Sequence, residues 1–191
     1  MPSSIDIIDR YNRPTGRKSN PEEATNHGYW HRGAHAFLLT PQGRVLVQKR
    51  SADAIQRPGL LDIGVGGFVD SDELPEETAI REVKEETGLD ITANDLIFMG
   101  TVRYNHRWKF NQKQKITRAI IYNYAVQLPH EHNYVTAKPG EVEWVGFIPA
   151  RSVQWLIRKG SSRRLGRLSP LYAYYSKMVR QSYRILDQRF H

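Results

Sequence analysis

The chain has 191 residues and carries a formal net charge of +8 at pH 7. It contains no cysteine, which excludes disulfide bonds, thiolate metal sites and cysteine nucleophiles. No apolar run approaches the length of a membrane span, and the N-terminal segment lacks the apolar core of a secretory signal, so we expect a single cytoplasmic domain.

The first 30 residues are predicted to form an arm with at most one short strand. They are polar, and prolines and glycines interrupt them at positions 14, 16, 21 and 28. Two strand-like runs follow, 33–40 and 44–50, separated by the turn signal Pro-Gln-Gly. After a loop that ends in glycines, residues 75–88 predict a helix with Pro75 in its first turn and Gly88 at its C-terminal stop.

The second half of the chain predicts further strands and then helices. Residues 96–106 and 116–128 are rich in β-formers, and the basic, aromatic segment 107–115 joins them in a hairpin-like pattern. A short strand (141–148), a helix (150–159), a basic linker and a long helix (170–190) complete the order, which indicates a mixed α/β layered domain. We therefore divide the chain into an N-terminal arm (1–30), a domain (31–160), and a basic linker with a C-terminal helix packed on that domain (161–191).

The segment from Gly67 to Leu89 is strongly acidic within this basic chain. It holds eight acidic and two basic residues, so its net charge is −6 and the rest of the chain carries +14. At about 100° per residue, the helix places Glu82, Glu85 and Glu86 within an arc of about 100°, where like charges repel. A hard divalent cation such as Mg²⁺ relieves that repulsion, because it prefers oxygen ligands. A solvated acidic helix face is the alternative interpretation.

A longer spacing pattern surrounds these glutamates. It has the form G-x5-E-x7-R-E-U-x-E-E-x-G-U, where U is a bulky aliphatic residue, and its members are Gly67, Glu73, Arg81, Glu82, Val83, Glu85, Glu86, Gly88 and Leu89. This pattern resembles a complete Nudix box, covering 67–89. The resemblance implies a Nudix fold, which is an α/β/α sandwich with a mixed sheet. It also implies hydrolysis, dependent on Mg²⁺ or Mn²⁺, of a diphosphate linkage in a nucleoside diphosphate-type substrate.

The resemblance also implies a role for each residue of the box. The implied metal ligands are Glu82, Glu85, Glu86 and the backbone carbonyl of Gly66. The implied catalytic residues are Arg81, Glu82 and Glu85, and the residues that support the box are Gly67, Glu73 and Gly88. Leu74 departs from the family pattern, since a small capping residue usually stands there; this weakens the start of the helix but removes no ligand.

Candidate substrate contacts lie outside the box. Arg50 follows a strand near it, while Arg107 and Trp108 belong to the basic, aromatic segment, where cations and rings can grip a phosphate or stack on a base. A solvated strand face and a solvated hairpin tip explain the same residues. Glu141 and Glu143 are candidates for an additional carboxylate at the site.

Three further segments, 5–19, 30–39 and 43–67, resemble Nudix proteins related to isopentenyl-diphosphate isomerase. Those isomerases use a cysteine and a histidine in the loop before the helix, where this chain has Gly66 and Phe68. We therefore expect hydrolysis, with an isomerase and an RNA-binding module as rival interpretations. The expected partner is a small phosphorylated molecule rather than a nucleic acid or a membrane, and the sequence leaves open whether the chain is a homodimer.

Overall fold

The computed structural model describes residues 4–54, 57–110, 112–128 and 135–187. The strands of the main sheet are β1 (Ile5–Ile8), β2 (Pro14–Ser19), β3 (Trp30–Leu39), β4 (Arg44–Arg50), β5 (Leu61–Ile63), β6 (Val65–Phe68), β7 (Leu96–Phe110), β8 (Lys113–Gln127) and β9 (Val142–Pro149). The helices are α1 (Pro21–His27), α2 (Pro75–Thr87), α3 (Ala150–Lys159) and α4 (Tyr172–Asp187). A small two-stranded sheet, β10 (Ser161–Ser162) and β11 (Gly166–Arg167), lies between α3 and α4.

The main sheet mixes strand directions and divides between β3 and β4. Strand β3 runs parallel to β8 along its whole length and antiparallel to β6. Strand β4 pairs antiparallel with β5 and β9, and it meets β3 at Leu39 and Val45. The sheet therefore has two halves that meet at this contact, and the chain passes from one half to the other between β5 and β6.

Helices pack on both faces of the sheet. Alternate residues of β3 point to opposite faces, as strand geometry requires. Phe37 and Leu39 pack in a core with α3 and α4, whereas Ala36 and Leu38 pack in a second core with α2. This arrangement confirms the predicted α/β class with a mixed sheet and a C-terminal helix. Among the described helices, none has the length and apolar character of a membrane span.

The prediction for the N-terminal segment was wrong, because it contains two paired strands and a short helix. Strands β1 and β2 form an antiparallel pair, and the side chain of Asn20 caps α1 by accepting the Glu23 backbone N–H at 2.8 Å. Ile5 and Ile7 pack against Ala24. Tertiary packing stabilises these short elements, and the polar composition of the segment gives no sign of that packing.

Two connecting segments also differ from their prediction. Strands β7 and β8 stay paired as far as Phe110 and Lys113, so most of the basic, aromatic segment is strand. The expected linker after α3 contains β10 and β11, and the backbone N–H of Ser169 donates to the Leu61 carbonyl at 2.8 Å. This hydrogen bond ties the C-terminal part of the chain to β5. The division into 1–30, 31–160 and 161–191 stays a prediction.

Candidate active site

Helix α2 carries the box glutamates and begins without a side-chain cap. Leu74 makes no capping hydrogen bond; instead, its own backbone N–H donates to Glu77 at 2.7 Å. The helix ends at Gly88, whose left-handed conformation (φ 74°) lets its N–H donate to the Lys84 carbonyl at 2.9 Å. Val83 packs in the core that α2 shares with β4 and β6, so the adjoining face of α2 lies against these two strands.

The three box glutamates do not share one environment. Glu82 and Glu86 are buried, with relative exposures of 8% and 5%, whereas the side chain of Glu85 is 38% exposed. Within the described residues, no three acidic or histidine side chains gather into a metal-binding group. The structure therefore brings Glu82 and Glu86 to the sheet and leaves Glu85 at the solvent edge.

Arg81 organises the acidic residues around it. Its Nε and one terminal nitrogen donate to the two carboxylate oxygens of Glu73, at 2.8 and 3.1 Å. Its other terminal nitrogen donates to Glu82 at 2.9 Å and to Glu85 at 3.4 Å. Thr78 also donates to Glu73 at 2.7 Å. Glu73 thus fixes Arg81, and Arg81 fixes the carboxylate of Glu82, which is the arrangement that the resemblance implies.

Two glycines let the strand backbone approach closely at this point. A Cβ on Gly67 would lie 2.1 Å from an oxygen of Glu82, and a Cβ on Gly66 would lie 2.4 Å from the Ala34 carbonyl. Neither distance is tolerable, so any side chain here would displace the carboxylate or the strand. The Glu82 carboxylate therefore rests directly on the backbone of β6.

Glu86 meets a polar side chain that the sequence analysis missed. Gln48, in the apolar strand β4, donates from Nε2 to Glu86 at 3.0 Å and to the Gly64 carbonyl at 3.1 Å. The other polar atom of the Gln48 side chain, Oε1, is buried and has no hydrogen-bond partner among the described residues. A glutamine within the run Arg-Val-Leu-Val-Gln was the available signal, since a buried polar side chain needs partners.

Burial and repulsion act together on the two buried carboxyls. Burial raises the pKa of Glu86 to about 8, and the charge of Glu82 adds to the rise; the hydrogen bond from Gln48 and the charge of Arg50 oppose it. Burial also raises the pKa of Glu82, against the charge of Arg81. Two buried carboxyls and an unpaired amide oxygen form an oxygen-rich set that suits a hard divalent cation.

Glu85 is paired with a lysine from a distant loop. Lys138 Nζ lies 2.8 Å from a carboxylate oxygen of Glu85 and 3.1 Å from one of Glu141. The hydrogen bond from Lys138 lowers the pKa of Glu85, so this carboxylate stays ionised. Of the two candidate carboxylates outside the box, Glu141 is drawn toward it by this bridge. Glu143 forms an ion pair with Lys49 instead, at 2.6 Å.

A second charged cluster borders the glutamates. Asp62 on β5 accepts from Arg57 at 3.1 Å, from Arg50 at 3.4 Å and from the hydroxyl of Tyr175 at 2.5 Å. The charges of Arg50 and Asp62 both act on the pKa of Glu86, in opposite directions, so this cluster lies next to the acidic one. Of these residues, the sequence analysis proposed Arg50 alone. The others come from separate segments, and no local pattern joins them.

The other two candidate substrate contacts lie at the β7–β8 hairpin. Trp108 donates from its indole N–H to Thr117 at 2.9 Å, and Arg107 is exposed. The neighbouring Lys115 is buried and contacts Asn26 of α1. The described contacts of this hairpin end are thus with α1, and a substrate role for Arg107 and Trp108 stays a prediction.

Comparison with known proteins identifies this arrangement of helix and sheet. A family model described as NUDIX domain matches residues 29–165, which is more than half of the chain. The chain belongs to the NUDIX domain family. The matched region of this Nudix protein contains the box and strands β3 to β9; it begins after β1 and β2 and ends before α4.

Individual relatives agree with this assignment. A Nudix hydrolase of Clostridium acetobutylicum is 31% identical over 122 residues, which cover 62% of this chain and 58% of that relative. The chain therefore matches little more than half of the length of that protein. A Nudix hydrolase of a Nostoc species is 25% identical over 172 residues, covering 90% of this chain and 95% of the relative. The prediction of a Nudix hydrolase is confirmed at the level of the family.

Solved structures confirm the fold. A Deinococcus radiodurans protein superposes with a TM-score of 0.62 at 18% identity, covering 92% of this chain and 99% of that one. The NUDIX domain of Shewanella oneidensis NrtR, solved with ADP ribose, gives 0.57 at 20% identity, covering 81% and 86%. The narrower resemblance to isopentenyl-diphosphate isomerases receives no support from these matches. The Phe68 ring lies tilted against the ring of His31, with 4.9 Å between ring centroids, and its hydrocarbon side chain cannot supply the proton or metal ligand of an isomerase.

Proposed function

We propose that this Nudix protein hydrolyses a diphosphate linkage in a nucleoside diphosphate-type substrate and requires Mg²⁺ or Mn²⁺. The observation that carries the proposal is the buried pair Glu82 and Glu86, held side by side next to the unpaired Oε1 of Gln48. Two buried like charges are unfavourable unless a cation or a proton neutralises one of them. Nudix proteins typically use divalent cations, and the donor set here consists of oxygen atoms.

In this proposal Glu82 and Glu86 hold the cation, with Gln48 Oε1 and the carbonyl of Gly66 as further oxygen donors. When bound, Mg²⁺ neutralises charge on a diphosphate and acidifies a water molecule. Arg81 keeps the Glu82 carboxylate in place through its link to Glu73.

Glu85 is suited to accept a proton from the attacking water. Its lowered pKa keeps it ionised at neutral pH, and its exposure gives water access to it. The hydrogen bond from Lys138 fixes its position. Arg50 lies next to Glu86 and offers a positive charge to the phosphate oxygens on the other side of the site.

The charges and the fold support the proposed substrate class. A cation and a neighbouring arginine suit two adjacent phosphates, and a similar NUDIX domain from Shewanella oneidensis was solved with ADP ribose. We therefore propose a small phosphorylated molecule as the partner, rather than RNA or isopentenyl diphosphate as a substrate for isomerisation.

The test is a substrate panel with product analysis. It contains nucleoside diphosphates, nucleotide sugars including ADP ribose, dinucleoside polyphosphates, NADH, coenzyme A and isopentenyl diphosphate, each with Mg²⁺ or Mn²⁺. We expect cleavage of at least one diphosphate linkage and no formation of dimethylallyl diphosphate. Glu86→Gln should lower kcat/KM by about 10³-fold, equivalent to ~4 kcal/mol of transition-state stabilisation.

The matched control is Glu76→Gln, which removes an exposed glutamate from the first turn of the same helix. It should retain parent activity. Equal activity in Glu86→Gln and Glu76→Gln would show that the buried pair has no part in the reaction. Chelation with EDTA should abolish turnover, and turnover that survives EDTA would contradict the requirement for a cation.

A further inference from the structure

The charged cluster around Asp62 is built from four separate parts of the chain. Arg50 ends β4, Arg57 lies in the following loop, Asp62 is on β5, and Tyr175 is on α4. Helix α4 begins after residue 165, where the match to the family ends. The cluster therefore joins a helix from beyond the matched region to the edge of the box site.

Asp62 is the centre of this cluster. It is 5% exposed, and each of its carboxylate oxygens accepts from a guanidinium group. The Tyr175 hydroxyl, itself fully buried, donates to the same oxygen as Arg57. Burial raises the pKa of Asp62, but the charges of Arg57 and Arg50 outweigh it, so the pKa lies below its ordinary value and Asp62 is ionised.

The two arginines keep part of their side chains accessible to solvent. Their side chains are 23% exposed for Arg50 and 29% for Arg57. Both guanidinium groups bind the one carboxylate of Asp62. A guanidinium that is already oriented loses little entropy when it binds a phosphate, and its planar donors match phosphate oxygens.

The backbone at Arg57 adds a second observation. Its φ is 53°, in the left-handed region that residues with a Cβ rarely adopt. Such a conformation persists only where surrounding contacts hold it, and it is concentrated at functional sites. The ion pair with Asp62 is one contact that holds it.

We propose that Arg50 and Arg57 bind the phosphate groups of an anionic substrate, and that Asp62 and Tyr175 are positioning residues that orient these arginines. The proposal rests on the proposed function, because it supplies the phosphate-binding side opposite Glu82 and Glu86. It makes α4 part of the site, through one hydroxyl group. It extends to Arg57 the substrate-binding role that the sequence predicts for Arg50.

The test measures binding of inorganic pyrophosphate to the full chain, in EDTA at low ionic strength, by isothermal titration calorimetry. Without a cation the readout reports the arginines and not the glutamates or the reaction. Arg57→Gln should weaken binding by about tenfold, and Arg57→Lys should recover part of it. Tyr175→Phe should weaken binding by about threefold, because Asp62 then holds the guanidinium groups less firmly.

Two matched controls separate this site from general positive charge and from helix stability. Arg158→Gln removes an exposed arginine from α3, and Tyr183→Phe removes an α4 hydroxyl that donates to the Gly43 carbonyl at 2.7 Å. Both should keep parent affinity for pyrophosphate. With the substrate found by the panel, Arg57→Gln and Tyr175→Phe should raise KM while kcat changes less than twofold.

The outcomes are distinguishable from those of the proposed function. Absence of pyrophosphate binding by the parent, or equal losses in Arg57→Gln and Arg158→Gln, would overturn the inference. So would a fall in kcat with unchanged KM in Tyr175→Phe. If pyrophosphate binding follows the expected order but no panel compound is cleaved, the hydrolase proposal fails and the phosphate site stands.

Discussion

Asp62 and Glu86 are two buried carboxyls that lie on different sides of the candidate site, and their pKa values can be compared. Both carboxyls are 5% exposed, yet the pKa of Glu86 is raised to about 8 and that of Asp62 is lowered. Burial acts on both in the same direction, so their neighbours make the difference. Glu86 adjoins another carboxyl, Glu82, whereas Asp62 is held by two arginines.

The comparison shows that burial alone does not decide the charge of a carboxyl. The glutamate side gathers like charges, which is costly until a cation arrives, and it is ready to bind one. On the arginine side, the charge of the carboxylate is already compensated within the protein by two guanidinium groups. In our proposal, a cation on the glutamate side and the two arginines together bind adjacent phosphates.

We expect the largest effects on stability from replacing each of the two buried carboxyls, in turn, with its amide. Asp62→Asn should lower the free energy of unfolding by about 3 kcal/mol, because it leaves two partly buried guanidinium groups without their partner. Glu86→Gln, without metal, should instead raise it, because folding at pH 7 requires the buried Glu86 to take up a proton that the unfolded chain does not bind, and glutamine does not. Urea denaturation in EDTA at pH 7 measures both.

An exposed carboxylate provides the control for this pair of variants. Glu143→Gln breaks the surface ion pair with Lys49, and such pairs contribute less than about 1 kcal/mol. If Asp62→Asn cost no more than Glu143→Gln, the Asp62 cluster would not stabilise the fold. Destabilisation by Glu86→Gln of the same size as that of Asp62→Asn would remove the contrast between the two sides.

A second expectation concerns a buried group on which burial dominates. Burial lowers the pKa of His31 from 6.5 to about 4. Between these values the unfolded chain binds a proton that the folded chain does not, so stability falls as the pH falls from about 6.5 toward 4. From pH 7 to pH 5 this residue should remove about 2 kcal/mol from the free energy of unfolding.

His31→Gln isolates that contribution, since glutamine does not titrate. Urea denaturation at pH 7 and pH 5 should show a smaller loss on acidification in the variant than in the parent. Equal losses in both proteins would mean that His31 is accessible to protons in the folded state.

The smallest effect concerns the lysine at the solvent edge. Lys138→Met removes a positive charge that binds Glu85, so we expect Mn²⁺ to bind about threefold more tightly, a change below ~1 kcal/mol. Lys84→Met is the control, because it makes the same charge change on α2 but removes a pair with Asp90. Calorimetric Mn²⁺ titration of both variants measures the difference. The same affinity in both would show that only net charge matters.

Sequence patterns point to residues of the glutamate side more readily than to those of the arginine side, for a physical reason. Helix α2 and its box residues lie within one short segment, where helical periodicity sets their geometry. Tyr175 and Asp62 are 113 positions apart, and only the packing of α4 against the sheet brings them together. No local pattern can reveal such a contact.

Other misses have the same origin. Gln48 and Lys138 reach the box glutamates from β4 and from a loop, across separations of 38 and 53 positions. The N-terminal strands were missed because their stability comes from packing rather than from their own composition. The sequence is therefore most informative about residues that lie within a single helix.

The tie between Tyr175 and Asp62 has a consequence for synthesis. A ribosome delivers the box and both sheet halves before α4, and domains fold in the order in which they emerge. A nascent chain that extends to residue 165 already contains the box glutamates. The tyrosine of α4 that anchors the arginines through Asp62 has not yet been synthesised. On this view the site becomes competent to capture its substrate only after α4 has been synthesised and has docked.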